Sequence, residues 1–289
     1  MKHNASRHLQ LFTLAGLTSI AAAQSRSILD ITVSLDGVTW TNELTVDRPD
    51  RTVQVRATLT YERQDGDPTP IALASLTWQP TASNWLAADT LLPFADRGNN
   101  SNGGGVPDIA GSPAPYGRIL PFAATGPTTS DPYRGHVQLV GGINYLRIAR
   151  ASITSWAGDG PTSGTAAANN FNGAGGLACV QKSVGNVNPS SDPAFRAGTT
   201  DVPIFKAAVQ FHLAAAARTV VFDAPLSGMS RNSTTGEREA SWYQSEADNF
   251  GSIKAGVIVD IATVHVLPNP GALAILAAAT LTITARRRR

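Results

Sequence analysis

Thr52-Val53-Gln54-Val55-Arg56-Ala57-Thr58-Leu59-Thr60-Tyr61 reads as a single strand and decides the fold class. Val53, Val55, Ala57, Leu59 and Tyr61 alternate with Thr52, Gln54, Arg56, Thr58 and Thr60, so one face is apolar and the other polar. A period of two marks a half-buried strand, because successive side chains leave it on opposite faces. The pattern recurs downstream, where Phe205, Ala207, Val209, Phe211 and Leu213 alternate with Lys206, Gln210 and His212.

Working outward, Ile28–Leu35, Ile71–Trp78, Tyr145–Ile153, Thr219–Phe222 and Val257–Val266 are further strand candidates. Gly117–Phe122, His136–Val140 and Ala240–Ser245 carry a weaker signal. Asp36-Gly37, Asp65-Gly66-Asp67-Pro68, Gly126-Pro127 and Asp131-Pro132 supply turns between them. No long stretch sustains the 3.6-residue period of a helix. The sequence therefore predicts an all-β chain, an antiparallel β-sandwich of Ig-like or jelly-roll-like type. Two long loops interrupt it, Asp96–Pro115 and Trp156–Pro203, both rich in Gly, Asn, Ser and Pro. One domain over 24–266 is preferred, with a split near 125–135 as the alternative.

Composition agrees. Charged residues are 15% of the 289, with 26 Gly and 18 Pro, which excludes a coiled coil and fits a loop-rich β protein. A hydrophobic content of 42% suffices for a core. The net charge of +2 is misleading, because six of the 23 basic residues are Lys2, Arg7 and Arg286 to Arg289. The body between them holds 17 basic against 21 acidic residues, so it has no surplus to neutralise phosphates, and a nucleic-acid partner is disfavoured. Cys179 is the lone cysteine, which rules out an internal disulfide and a thiolate metal cluster and suits a small buried residue.

The two ends carry targeting signals. Residues 1–23 read as a secretory signal peptide: Lys2 and Arg7, then an apolar run from Leu9 to Ile20, then Ala21-Ala22-Ala23, with cleavage before Gln24. At the other end Leu267-Pro268-Asn269-Pro270 precedes an uncharged span, residues 271–285, and Arg286-Arg287-Arg288-Arg289 closes the chain. As a helix the span would extend roughly 22 Å at ~1.5 Å per residue. That is short of the ~30 Å hydrocarbon core unless flanks contribute. Four terminal arginines would stop passage and stay cytoplasmic, giving a single-pass transmembrane helix with the body outside.

This tail resembles the PEP-CTERM sorting signal of bacterial surface proteins, in which a short Pro-containing motif, an Ala/Leu-rich span and an Arg cluster follow one another. The resemblance covers residues 267–289 and is carried by Pro268, Pro270, the Gly271-Ala272-Leu273-Ala274 start of the span and the four arginines. Asn269 stands where the family has Glu. The resemblance implies an exosortase-like processing enzyme as partner, with the tail as its substrate. The early part of the body, with Trp40, Val53–Tyr61 and Leu76-Thr77-Trp78, is similar to cohesin-like bacterial sandwiches, and no site residue carries over from it.

The body shows no catalytic motif. Gly-x-Ser-x-Gly is absent, and His136, His212 and His265 are its only histidines. His212 reads as solvated and His265 as structural, and His136 is the best placed of the three for function. Glu237 and Glu239 would share a strand face at ~7 Å, a spacing suited to glycoside hydrolysis. Arg238 and the preceding Ser233-Thr234-Thr235-Gly236 read instead as a solvated hairpin end. Zinc lacks ligands in any usual spacing. Calcium is the one cofactor left open, through Asp96, Asn99, Asn100, Asn102 and Asp108 or through Asp65 and Asp67, where turn formation explains the same residues. For ligand contact Trp156, Trp242 and Tyr243 are the candidates: Trp156 sits in a polar loop, and in a strand one of Trp242 and Tyr243 would point outward. Trp40, Trp78 and Trp85 read as core.

These observations predict an exported, cell-envelope or extracellular-matrix protein with a non-catalytic body. A carbohydrate-binding module, with extracellular polysaccharide as partner, is the alternative, and a secreted hydrolase the second.

Overall fold

The computed structural model describes residues 24–49, 51–94, 116–119, 122, 133–150, 177–180, 198–225, 229, 237–245, 247–248 and 251–268. These hold fifteen strands and no helix. They are β1 (Arg26–Ser34), β2 (Glu43–Val46), β3 (Thr52–Glu62), β4 (Ala72–Trp78), β5 (Thr81–Ala82), β6 (Thr90–Leu91), β7 (Gly117–Arg118), β8 (Tyr133–Val140), β9 (Ile143–Arg150), β10 (Leu177–Val180), β11 (Val202–Gln210), β12 (Arg218–Asp223), β13 (Glu239–Tyr243), β14 (Ile253–Asp260) and β15 (Ala262–Val266). The expected signal peptide, most of the long loops and the C-terminal span lie outside the described residues.

Two sheets form. The nine-stranded sheet runs β10-β4-β13-β14-β1-β3-β11-β6, with β7 also paired to β11. The six-stranded sheet runs β2-β15-β12-β5-β9-β8. Most pairs are antiparallel, but β1 pairs β14 in parallel, as does β15 with β2. The purely antiparallel expectation is corrected on this point: strands far apart in the chain meet without a hairpin, and then either direction is open to them.

At two places the chain passes from one sheet to the other within one or two residues. After Trp78 it leaves β4, and at Thr81 it enters β5 in the other sheet, with Pro80 accepting from Ile148 N at 2.9 Å. After Asp260 it leaves β14 and at Ala262 it enters β15, so the stretch Val257–Val266 is two strands rather than one. Asn42 holds this second crossing: its side-chain amide donates to Asp30 Oδ1 (2.8 Å), Ile31 O (3.0 Å) and Ile261 O (3.5 Å), and its backbone carbonyl accepts from Thr263 N (2.7 Å). Strands that bend from one sheet into the other are a common way to close a sandwich corner.

Between the sheets lies one hydrophobic cluster. Leu29, Ile31, Val55, Leu59, Phe205 and Val209 come from the first sheet, and Leu146, Ile148, Val220, Phe222 and Val264 from the second. Edge-to-face rings fill it: Trp78 on Phe205 at 5.6 Å and Tyr61 on Trp242 at 5.4 Å between centroids. An apolar cavity of ≈ 20 Å³ remains at its centre, lined by Ile31, Val55, Phe205, Leu146 and Phe222. That is room for about one water at most. Cys179 is buried against Ile204 O, the role its loneness predicts.

Candidate functional site

Among the described residues the loop Leu35–Asn42, between β1 and β2, is held by several hydrogen bonds of its own. Asp36 organises it. Asp36 Oδ1 accepts from Val38 N (2.8 Å), Thr39 N (2.7 Å) and Ser34 Oγ (2.8 Å). Ser34 Oγ in turn accepts from Gly37 N at 2.8 Å. The Thr39 and Val38 amides and then the Ser34 hydroxyl hold the Asp36 carboxyl far below its ordinary 3.8. Gly37 adopts φ +73°, a conformation that favours glycine, and the movable end of the Gln54 side chain packs against it. The loop closes where Val33 and Thr41 exchange two backbone bonds of 2.8 and 3.0 Å.

This frame lifts Val38, 81% exposed, to the tip and lays Trp40 on the outer face of the nine-stranded sheet. The Arg56 guanidinium carbon sits 4.3 Å from the indole centroid and Lys206 Nζ sits 5.6 Å from it. Arg56 and Lys206 are direct partners in the β3–β11 register, and Thr32 is the partner of Arg56 on β1. The Thr32 hydroxyl is buried without a hydrogen-bond partner. Trp40 is half-buried rather than a core residue, which corrects the expectation for it. The signal was present in the sequence, since Trp40 follows Asp36-Gly37 and so belongs to a turn.

A second concavity lies where the sandwich opens, between the edge strands β6 and β8. It has a volume of ≈ 430 Å³ and is lined by Trp85, Leu91, Phe94, Gly135, Val137 and Asp89, among others. Asp89 is an anchor there. Its Oδ2 accepts from Leu86 N at 2.7 Å, and its Oδ1 accepts from His212 N at 2.8 Å and from Arg218.

Thr219, His265 and Glu43 line up across β12, β15 and β2. His265 Nδ1 lies 3.3 Å from Thr219 Oγ1, and Nε2 lies 2.9 Å from Glu43 Oε1. A hydroxyl, an imidazole and a carboxylate in that order resemble a hydrolytic relay. Here they lie on a sheet face, with the Glu43 side chain 73% exposed, and neither concavity is lined by any of the three. The row acts as a cross-strand polar ladder. His212 is exposed, as its pattern predicts, and His136 is half-buried on β8.

The expected ligand contacts fare differently. Trp242 is fully buried, with Nε1 donating to Ser27 Oγ at 2.9 Å. Tyr243 points to the opposite face yet is buried too, packed with Ala72, Ala74 and Ile71. Burial, with the charge of Asp248 added, pushes its phenol up to about 12. Neither ring offers a face to a ligand, which corrects the reading that one of the pair points into solvent. Trp156 lies outside the described residues. So do Asn269, Pro270 and Arg286 to Arg289, whereas Pro268 directly follows the last strand's exit at Leu267.

Asp67 accepts from Ser25 N (2.9 Å) and Ser25 Oγ (2.6 Å), which hold its carboxyl below 3.8 and tie down the start of β1. Glu237 precedes β13 and Glu239 begins it. Among the described residues no three of His, Cys, Asp and Glu gather as metal ligands. The Asn-rich loop considered for calcium, Asp96–Asp108, lies outside the described residues.

No family model and no curated protein matches the chain. Among solved structures it is similar to a chain of a type I cohesin–dockerin complex from Clostridium thermocellum. The TM-score is 0.27 and the identity 8%, over 85% of this chain and 94% of that one. The assignment of a β-sandwich therefore stands on this chain's own strands and core.

Proposed function

We propose that the chain is an exported, non-catalytic module of the cell envelope or extracellular matrix. Residues 1–23 direct export. Residues 267–289 form a sorting tail, in which an exosortase-like enzyme reads Pro268-Asn269-Pro270 and Arg286 to Arg289 stop the apolar span in the membrane. One observation supports this reading above others. Among the described residues the first tertiary anchor of the sandwich is Ser25 on Asp67, and the last is Leu267 N on Val46 O at 2.9 Å. The described strands, from Arg26 to Val266, thus fill the stretch of sequence between the two expected sorting segments. The test is to fuse residues 260–289 to a secreted reporter and fractionate the cells. The fusion sediments with membranes while the tail is uncut. A reporter that is freely soluble in cells lacking the processing enzyme contradicts the anchor.

A second reading, that the body holds carbohydrate, is favoured by Trp40, the described tryptophan that the fold sets at the surface on a braced loop. The buried Trp242 and Tyr243 give it no support.

A further inference from the structure

We propose that the Leu35–Asn42 loop is a binding site for an extended β-linked polysaccharide, with Trp40 as its stacking platform. Trp78, Trp85 and Trp242 are spent in the core, whereas Trp40 reaches solvent. Sugar recognition needs an aromatic face for the C–H side of a pyranose and nearby donors and acceptors for its hydroxyls. Both are present. The Gln54 side-chain amide lies against Gly37, and the Arg56 guanidinium lies against the Trp40 ring. The Asp36 turn and the Arg56 contact fix the loop and the ring before any ligand arrives, which lowers the entropy lost on binding. A β-linked chain has equatorial bonds, so its rings present flat C–H faces in an extended line that can run from Trp40 to Val38. An α-linked chain curls and offers one such face at a time. The site rests on the carbohydrate reading given above and not on the envelope reading, because binding is measured on purified protein and export by fractionation.

The experiment titrates the full chain, in a mild detergent, with cellohexaose and with maltohexaose in a calorimeter. Cellohexaose binds, and maltohexaose binds at least tenfold more weakly. Trp40→Ala lowers cellohexaose affinity about tenfold, the equivalent of ~1.4 kcal/mol, while Trp40→Phe keeps most of it. Val38→Asp disturbs nothing buried, so it leaves the melting temperature unchanged and still weakens binding. If Trp40→Ala does not fold, Val38→Asp and Trp40→Phe decide. The proposal is overturned if neither sugar gives heat, if the two bind equally, or if the folded variants bind as the parent does.

Discussion

The guanidinium of Arg218 pairs with the carboxylate of Asp89, 129 residues away in the chain, with the Asp89 side chain wholly buried and that of Arg218 11% exposed. The pair ties the segment that carries β6, an edge of one sheet, to the start of β12 in the other. Arg218 also donates to Asn84 O at 2.7 Å and to His212 O at 3.2 Å. Asp89→Ala strips this cation of its counter-ion and leaves the Leu86 and His212 amides without their acceptor. The expected loss is about 3–5 kcal/mol. Denaturant unfolding followed by tryptophan fluorescence measures it, and a loss under about 1 kcal/mol would place the pair among ordinary surface contacts.

Trp242 Nε1 donates to Ser27 Oγ at 2.9 Å, a buried polar contact at the Tyr61–Trp242 end of the core. Ser27→Ala leaves the indole N–H buried and unbonded, which costs about 1–3 kcal/mol. Removing both polar groups, in Ser27→Ala with Trp242→Phe, should cost less than the sum of the two single changes. Strict additivity in that double-mutant cycle would mean that the two side chains are not coupled.

Gly251 has no tolerance for a side chain. Its φ is +70°, and an added Cβ would lie 2.5 Å from Ala74 Cβ and 3.2 Å from Trp242 N. Backbone strain and overpacking act together, so Gly251→Ala should lose about 2–4 kcal/mol. Gly135→Ala meets only the flexible ends of Leu146 and Leu91, at 2.6 and 2.9 Å, and should lose clearly less. Thermal melts of the two variants side by side give the comparison, and the reverse order would be inconsistent with the packing described.

Acid should act through Asp36 and Asp67. Both carboxyls lie below 3.8 in the folded chain, held there by hydrogen bonds from the Val38, Thr39 and Ser25 amides and neighbouring hydroxyls. Their stabilisation is therefore complete above the ordinary carboxylate range and is lost as pH falls through the lowered folded values. Asp67→Asn imitates the protonated group. It should melt below the parent at pH 7, and the gap should close as the pH drops below about 3.8. A gap that stays constant with pH would show that the Asp67 charge does not contribute.

What the sequence made legible depended on how local the cause was. Val53 to Tyr61 and Phe205 to Val209 could be read because burial on one face writes a period of two directly into the chain. Pairing direction could not, since nothing in Arg26–Asp30 encodes its parallel partner Gly256–Asp260. The break in Val257–Val266 was hidden because the crossing at Ile261 uses no glycine or proline and depends on Asn42, more than 200 residues upstream. Leu177–Val180 is hidden because this edge strand is only four residues long, apolar throughout, and set between Gly175-Gly176 and Gln181-Lys182-Ser183. Trp242 and Tyr243 obeyed strand alternation, but both faces of β13 are covered, and cover comes from tertiary packing. Trp40 misled in the opposite sense: its turn was plain in the sequence, and its place above Arg56 was not.

The most direct measurement is the intact mass and cell fraction of the protein recovered from the cells that make it. The recovered chain should start at Gln24 and be found in the envelope or outside the cell. Recovery of the whole 289-residue chain from the cytosol, with Met1 still in place, would contradict this expectation.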